Sequence, residues 1–173
     1  MDHISLVKKA QKGDTNAFYQ LISEHKAQLY RIAVSYMKNE DAALEAIQET
    51  SCRSFKSIKK LKNPQFFSTW LIRILINYCN DELKKRNRII QYEDMSVIAG
   101  GKEDILNTEL HEAIGQLDEK LRNVIILKYF HDMKISDIAS LLNYPEGTVK
   151  TWLYKGLQRL KLQLEEEGGE QHV

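Results

Sequence analysis

Lys150, Thr151, Tyr154, Lys155, Gln158 and Arg159 crowd hydroxyls, an amide and three cations into ten residues near the carboxyl end. Hydroxyl and amide groups match the edges of nucleic-acid bases, and lysine and arginine match phosphates, so the chemistry on offer is recognition rather than bond making. The spacing puts these groups together. At about 100° per residue, Thr151, Tyr154, Lys155 and Gln158 share one side of a helix with Lys150 and Arg159 on its flanks. Val149, Leu153, Gly156, Leu157, Leu160 and Leu164 form the opposite, core-facing stripe. Trp152 lies near the edge of that stripe, where packing is the expected role.

A second helix must hold this one in place. In ISDIASLLNYPEGTVKTWLYKGLQRLKLQL, residues 135–164, Ile135, Ile138, Ala139 and Leu142 recur at helical spacing. Ser136 is the expected cap, Asp137 favours the first turn, and Ala139 is small enough for a close helix crossing. Asn143, Tyr144 and Pro145 break the pattern, and Glu146 restarts it. Two helices joined by so short a break outline a helix-turn-helix DNA reader. The same periodicity also fits an ordinary helical hairpin with a solvated basic face.

The remaining chain is helical in pattern. Its 173 residues contain 8 Gly and 2 Pro, amphipathic 3.6-residue periods dominate, and no alternating strand pattern emerges, so the fold class is all-α with two small helical domains. The formal net charge is only +1, yet charge is segregated. Between Cys52 and Asn80 the charged residues are Arg53, Lys56, Lys59, Lys60, Lys62 and Arg73, with no acid among them, whereas Glu93, Asp94, Glu103, Asp104, Glu109 and Glu112 make the following segment acidic. A basic surface of that kind is hidden by the overall balance.

Residues 91–107, with Gly100-Gly101 and poor periodicity, have linker composition. The expected organisation is a helical module at 1–90, a flexible linker at 91–107, a second module at 108–167 and a frayed acidic tail at 168–173. Helices are expected at 110–117 and 119–130 ahead of the two-helix reader. In the first module, Asn63-Pro64 starts a helix expected to run to Lys85, asparagine capping and proline in the first turn. Phe66, Trp70, Arg73, Asn77, Asn80, Asp81 and Lys84 fall on one side of it, and Phe67, Leu71, Ile72, Ile74, Leu75 and Tyr78 cover the rest. Aromatics interleaved with cations and amides fit unpaired or distorted nucleic acid, because rings stack on bases while cations track phosphates; Phe66 and Trp70 could equally be core residues reaching round the helix. On the preceding helix, 40–58, Leu44, Ile47, Ser51, Phe55 and Ile58 are expected inward, while Asp41, Glu45, Gln48, Glu49, Cys52 and Lys56 look outward. An acidic and amide face beside a basic ridge fits a protein partner, or a plain solvated face.

Several classes are disfavoured. The amino terminus has no signal-peptide apolar core, and the longest apolar-rich run, 66–76, is too short to span a bilayer and contains Arg73, so a cytoplasmic protein is expected. Cys52 and Cys79 lack paired spacing and are expected as free thiols. His3, His25, His111, His131 and His172 are scattered and read as surface or capping residues. With no nucleophile, metal cluster or phosphate-cradling glycine loop, no enzymatic role, cofactor or small-molecule substrate is expected.

Three segments taken together resemble the extracytoplasmic-function sigma factors of bacterial RNA polymerase. NEDAALEAIQET at 39–50 resembles the family's core-binding helix in region two. PQFFSTWLIRILINYCNDELKKRNR at 64–88 resembles its melting and minus-ten segment, and 117–161 resembles region four, which reads the minus-thirty-five element. Asp41 with Gln48-Glu49, Trp70-Leu71 with Asn77, and Gly147-Thr148-Val149-Lys150 stand in the family's order. The resemblance implies that Asp41, Glu45, Gln48 and Glu49 meet the clamp coiled coil of core RNA polymerase, with the flap as a further contact. It places Lys59, Lys60, Lys62, Asn63, Phe66, Trp70, Arg73, Asn77 and Lys84 on minus-ten DNA, residues 59–65 forming the loop that holds a flipped base. Thr148, Lys150, Thr151, Tyr154, Lys155 and Arg159 are its minus-thirty-five candidates. An anti-sigma factor, membrane-anchored in many family members, is the implied inhibitor. The chain departs from the family at Ser51, where an aromatic residue is usual, and at Trp152, where arginine is common. The alternative is a stand-alone helix-turn-helix regulator with an N-terminal sensing or dimerisation module, which need not copurify with core polymerase.

Overall fold

The computed structural model describes the backbone of residues 2–92 and 105–170 and the side chains of 2–89 and 109–169. The chain divides into two compact units, Met1–Arg88 and Ile89–Val173, and the described residues are helical without strands.

In the first unit, α1 (His3–Gln11), α2 (Thr15–Met37), α3 (Glu40–Ser57) and α4 (Phe67–Tyr92) follow one another through short turns. Gly13, at φ 101°, makes the bend between α1 and α2, a conformation open to glycine because it lacks Cβ. The Asp14 carboxylate accepts the Ala17 N–H at 3.0 Å, and the Asn39 side chain accepts the Ala42 N–H at 2.9 Å, so both long helices begin on a side-chain cap. Leu21, Leu29, Ile32, Ala33 and Tyr36 of α2 are buried together with Ala43 and Ala46 of α3 and Phe67, Leu71, Leu75 and Ile76 of α4.

The inward face of α3 differs from the sequence expectation. Ile47 and Ile58 are buried, but Leu44 and Phe55 are 42% and 48% exposed, and the helix instead turns Ala42, Ala43, Ala46, Thr50 and Ser54 inward. Small residues let α2 and α3 approach closely, and a stripe of alanine and hydroxyl side chains leaves no hydrophobic signature to read. α4 runs past Lys85 to Tyr92.

In the second unit, α5 (Ile105–Gln116), α6 (Glu119–Ile125), α7 (Ile135–Leu142) and α8 (Glu146–Glu170) surround a core that includes Ile114, Val124, Ile125, Leu127, Ile138 and Val149. The expected 119–130 helix divides, α6 passing at Ile126 into a π-helical turn, Ile126–Phe130. Residues 121–127 are all buried, so this segment is enclosed on every side and its periodicity says little. Arg122, 4% exposed, donates from Nη1 to the carbonyl oxygens of Leu117 at 3.1 Å and Gly115 at 3.4 Å, closing the end of α5 with a cation. The helix ahead of it starts at Ile105 rather than near Leu110.

Two details of the reader change. The cap position of α7 is Lys134, and Ser136 is an exposed residue inside the first turn, because the helix begins one residue before the serine. Asn143, at φ 60°, ends α7 in the left-handed conformation that asparagine tolerates. Ala139 is buried as expected, while the tightest approach is at Gly156, where an added Cβ would lie 3.0 Å from Ile125 Cγ1. α8 continues through Gly168 and Gly169 to Glu170, so the tail is helical to that point; residues 171–173 and most of the expected linker, 93–104, lie outside the described residues. No helix among the described residues is long and apolar enough to cross a membrane.

Candidate nucleic-acid interface

The basic segment of the first unit is a built loop. After α3, Ile58–Lys60 forms a 3-10 turn and Pro64–Phe66 another, leading directly into α4. Gln11 of α1 donates through Nε2 to the carbonyl oxygens of Ile58 at 3.1 Å and Leu61 at 2.8 Å. One side-chain amide thus pins the turn that presents Lys59, Lys60 and Lys62, all three exposed. Sequence reasoning missed Gln11 because its partners are backbone carbonyls some fifty positions away, which no local pattern records. Asn63 caps the second turn, its Oδ1 accepting the Gln65 N–H at 3.1 Å, as expected from Asn63-Pro64.

Along α4 the expected ridge divides by burial. Phe66 is 57% exposed, Asn77 and Lys84 are exposed, and Trp70 and Arg73 are half-buried, so these five lie where a ligand could reach them. Asn80 does not join them; it is 1% exposed, turned among α4's buried residues. The Trp70 ring lies 5.8 Å from the ring of Phe67, whose centroid is 5.4 Å from that of His25 and 5.9 Å from that of His3. His25 is therefore no surface residue. It is 9% exposed, its Nδ1 bonded to the Leu21 carbonyl at 2.7 Å and its Nε2 to the Ser68 hydroxyl, and it ties α2 to the start of α4.

On α3, Asp41, Glu45 and Gln48 are exposed and share a face, with Glu49 half-buried beside them. The Glu49 carboxylate accepts from Arg53 Nε at 2.9 Å, and the Arg53 guanidinium lies 5.2 Å from the ring centroid of Tyr78 on α4. Burial pushes the Tyr78 hydroxyl pKa above its ordinary value, with Glu82, Glu45 and Glu49 adding negative potential. This face is a concentrated acidic and amide surface with an apolar fringe from Leu44.

On α8, Lys150, Thr151, Tyr154, Lys155, Gln158 and Arg159 are all exposed, with Thr148 half-buried at the first turn. Val149 and Leu160 are buried opposite them. Leu157, expected in the core stripe, is 41% exposed, because α8 turns Gly156 rather than Leu157 onto α6. Thr151 Oγ1 donates to the Gly147 carbonyl at 3.0 Å, leaving the oxygen's lone pairs and the methyl group outward. Gln158 Nε2 donates to the Tyr154 hydroxyl at 2.9 Å, so that hydroxyl's proton remains available to a partner. Trp152 packs edge-on against Tyr144 with ring centroids 4.7 Å apart, in line with its expected packing role.

Cys52 is exposed and Cys79 buried, both as free thiols. No group of three or more His, Cys, Asp or Glu side chains able to hold a metal occurs among the described residues.

Comparison with known proteins covers both units. Residues 21–89 match the family model for sigma-70 region 2, and residues 107–160 match that for sigma-70, region 4. RNA polymerase sigma factor SigV of Bacillus subtilis is 36% identical over 149 residues, spanning 84% of this chain and 90% of the relative. ECF RNA polymerase sigma factor SigW of the same organism is 30% identical over 176 residues, spanning 91% and 94%. The solved structure of CnrH in complex with the cytosolic domain of CnrY shares the fold, with TM-score 0.68, 22% identity, and coverage of 95% of this chain and 97% of that one. Helical units carrying an exposed acidic helix face, an aromatic-basic ridge and a helix-turn-helix thus coincide with both family models and with relatives matched over most of their length: the chain belongs to the extracytoplasmic-function (ECF) family of RNA polymerase sigma factors.

Proposed function

We propose that this chain binds core RNA polymerase, directs it to particular promoters and lowers the free energy needed to open them. The observation that carries the reading is the presence, on two separate units of one sigma-family chain, of two exposed basic faces of different chemistry. The face on α8 is polar and suited to duplex edges; the ridge of α4 is aromatic and suited to unpaired bases. Polymerase performs the catalysis, and this subunit contributes address and melting without chemistry of its own.

Asp41, Glu45, Gln48 and Glu49 offer the clamp an acidic and amide surface on a well-capped helix. Lys59, Lys60 and Lys62 draw in the phosphates of the minus-ten strand, while Asn63, Phe66, Trp70, Arg73, Asn77 and Lys84 line its path. A flipped base costs a few kcal/mol, and stacking on an aromatic ring contributes about 1–3 kcal/mol per base. Capture of one or two bases therefore biases a duplex that the holoenzyme already distorts. Thr148, Lys150, Thr151, Tyr154, Lys155 and Arg159 read the minus-thirty-five element. The relatives' company extends to inhibitors: a structural neighbour, RpoE from Bartonella quintana, is described in complex with the anti-sigma factor NepR. A comparable inhibitor is the expected partner here, and the cytoplasm, where polymerase works, the expected site of action.

Two small faces on separate units must be ordered on DNA together, so the free chain should bind promoters weakly and core enzyme should rescue binding. Gel-shift titration and run-off transcription on genomic fragments, with and without core, test this. Asp41→Arg with Gln48→Ala should weaken core association about tenfold, equivalent to about 1.4 kcal/mol, with unchanged circular dichroism. Tight sequence-specific binding by the free chain would instead identify a stand-alone regulator.

A further inference from the structure

Lys120 belongs to none of the faces above. It stands exposed in the first turn of α6, and its Nζ lies 5.3 Å from the ring centroid of Trp152 and 5.8 Å from that of Tyr144. The two rings meet edge to face at 4.7 Å, giving the ammonium a fixed seat at the joint between the turn before α8 and α8 itself. A cation held by ring quadrupoles is oriented without being neutralised, unlike one held by a carboxylate. Its donors therefore remain available to an anion.

The seat opens into a groove of about 420 Å³ in which Lys120 and Trp152 face Lys155 and Arg159, with Asp118 as the one acid on the wall. Three cations around one carboxylate select an anionic occupant. Lys155 and Arg159 are also one edge of the α8 face proposed for the minus-thirty-five element, so the groove is continuous with that face. A duplex lying against it would bring its sugar-phosphate backbone, a regular line of negative charge, past the groove. Position 152 matters as well. The structure brings a cation from α6 over the Trp152 ring, placing an ammonium where α8 itself offers only an aromatic side chain.

We propose that Lys120, seated on Tyr144 and Trp152, is a DNA-phosphate contact of the second unit and extends its basic footprint into the groove shared with Lys155 and Arg159. The contact holds the duplex without reading its sequence. It rests on the minus-thirty-five reading of α8, and the test separates the two. Holoenzyme assembled from the full chain and core polymerase is titrated with promoter duplex across a salt series. One phosphate contact contributes about 0.9 to the slope of log affinity against log salt, so Lys120→Gln should reduce the slope by about that amount. Over a fourfold rise in salt the wild type then loses about three- to fourfold more affinity than the variant. Base preference in a promoter library should not change, and Lys120→Arg should restore the slope. A folded Lys120→Gln holoenzyme with the wild-type slope overturns the proposal, as does a lowered slope that Lys120→Arg fails to restore. Weaker core association with an unchanged DNA slope also overturns it, and marks the groove as a seat for an acidic protein segment. If changes at Thr151 and Tyr154 leave promoter choice untouched while Lys120→Gln still lowers the slope, the base-reading assignment of α8 fails and the phosphate contact stands.

Discussion

In the first unit the Trp70 ring lies 5.8 Å from that of Phe67, which is fully buried, so a side chain proposed to meet nucleic acid rests directly on the core. In the second unit Thr151, Tyr154, Lys155 and Gln158 stand exposed on the side of α8 opposite the buried Val149 and Leu160. The difference has a physical origin. Stacking on an unpaired base needs a large ring held still, and a ring is held still by packing; hydrogen bonding to a duplex edge needs only polar tips projecting from a rigid helix. On the proposed function, melting and stability are therefore expected to be coupled in the first unit, and reading and stability to be separable in the second.

Phe67→Ala should break the first unit most severely. Loss of a buried phenylalanine costs about 3–5 kcal/mol, and here it also removes the support under Trp70, His25 and His3. Urea unfolding should show the loss in stability, and permanganate footprinting of promoter complexes should show lost strand opening. Retained opening in the destabilised variant would uncouple the two.

Gly156→Val asks whether stability can be lost in the second unit without touching its polar face. An added Cβ sits 3.0 Å from Ile125 Cγ1 and 3.2 Å from its Cδ1, so the Ile125 side chain must shift and the larger valine crowds the crossing of α6 and α8. Overpacking of this kind costs about 1–3 kcal/mol. Thermal unfolding should report it, while promoter preference among the molecules that remain folded stays that of the wild type.

Thr151→Ala and Tyr154→Ala make the complementary change. Each should alter which minus-thirty-five sequences are used, by about 1–3 kcal/mol for a specific contact, with no shift in unfolding. Lys150→Ala should weaken binding uniformly and lower the salt slope by about one unit. Promoter-library transcription at two salt concentrations distinguishes these effects, and a fall in stability of either polar variant would remove the contrast between the units.

The smallest effect concerns Cys79 in the core of the first unit. Burial, with a further push from Glu82, raises its thiol pKa from 9.0 to about 12, against a lowering influence from Arg86. The unfolded thiol ionises from about pH 9 while the folded one keeps its proton, so the unfolded state binds fewer protons in this window and stability falls as pH rises from 9 towards 12. At pH 10 the loss attributable to this group is on the order of 1 kcal/mol. Urea midpoints measured at pH 8 and pH 10 should converge more closely in Cys79→Ala than in the wild type.

The helix-turn-helix was legible because its determinants are local: a proline-marked break, a left-handed asparagine and a one-sided polar pattern within thirty residues. The polar face of α8 followed from spacing alone, since exposure on a two-sided helix is a matter of angle. Leu157 escaped the same reasoning because a glycine contact with α6 sets the final rotation of α8. The α3 surface was half legible: Asp41, Glu45 and Gln48 were placed outward by charge, but Leu44 and Phe55 were assigned inward because they are the large apolar residues, while the helix packs on its alanines. Asn80 and His25 were misplaced for a related reason. For His25 the partner is Ser68 at the start of α4, and such a meeting across the fold is invisible in one dimension.

By itself the sequence determined the all-helical class, the basic and acidic segregation, and the residue types on each exposed polar face, because periodicity, capping and charge act within a few turns of helix. Tertiary structure alone decided that Gln11 anchors the basic loop through Ile58 and Leu61, that His25 and Phe67 support Trp70, and that Lys120 sits on Tyr144 and Trp152. Each joins groups from different helices or turns, and such meetings are set by how helices cross rather than by how each one coils.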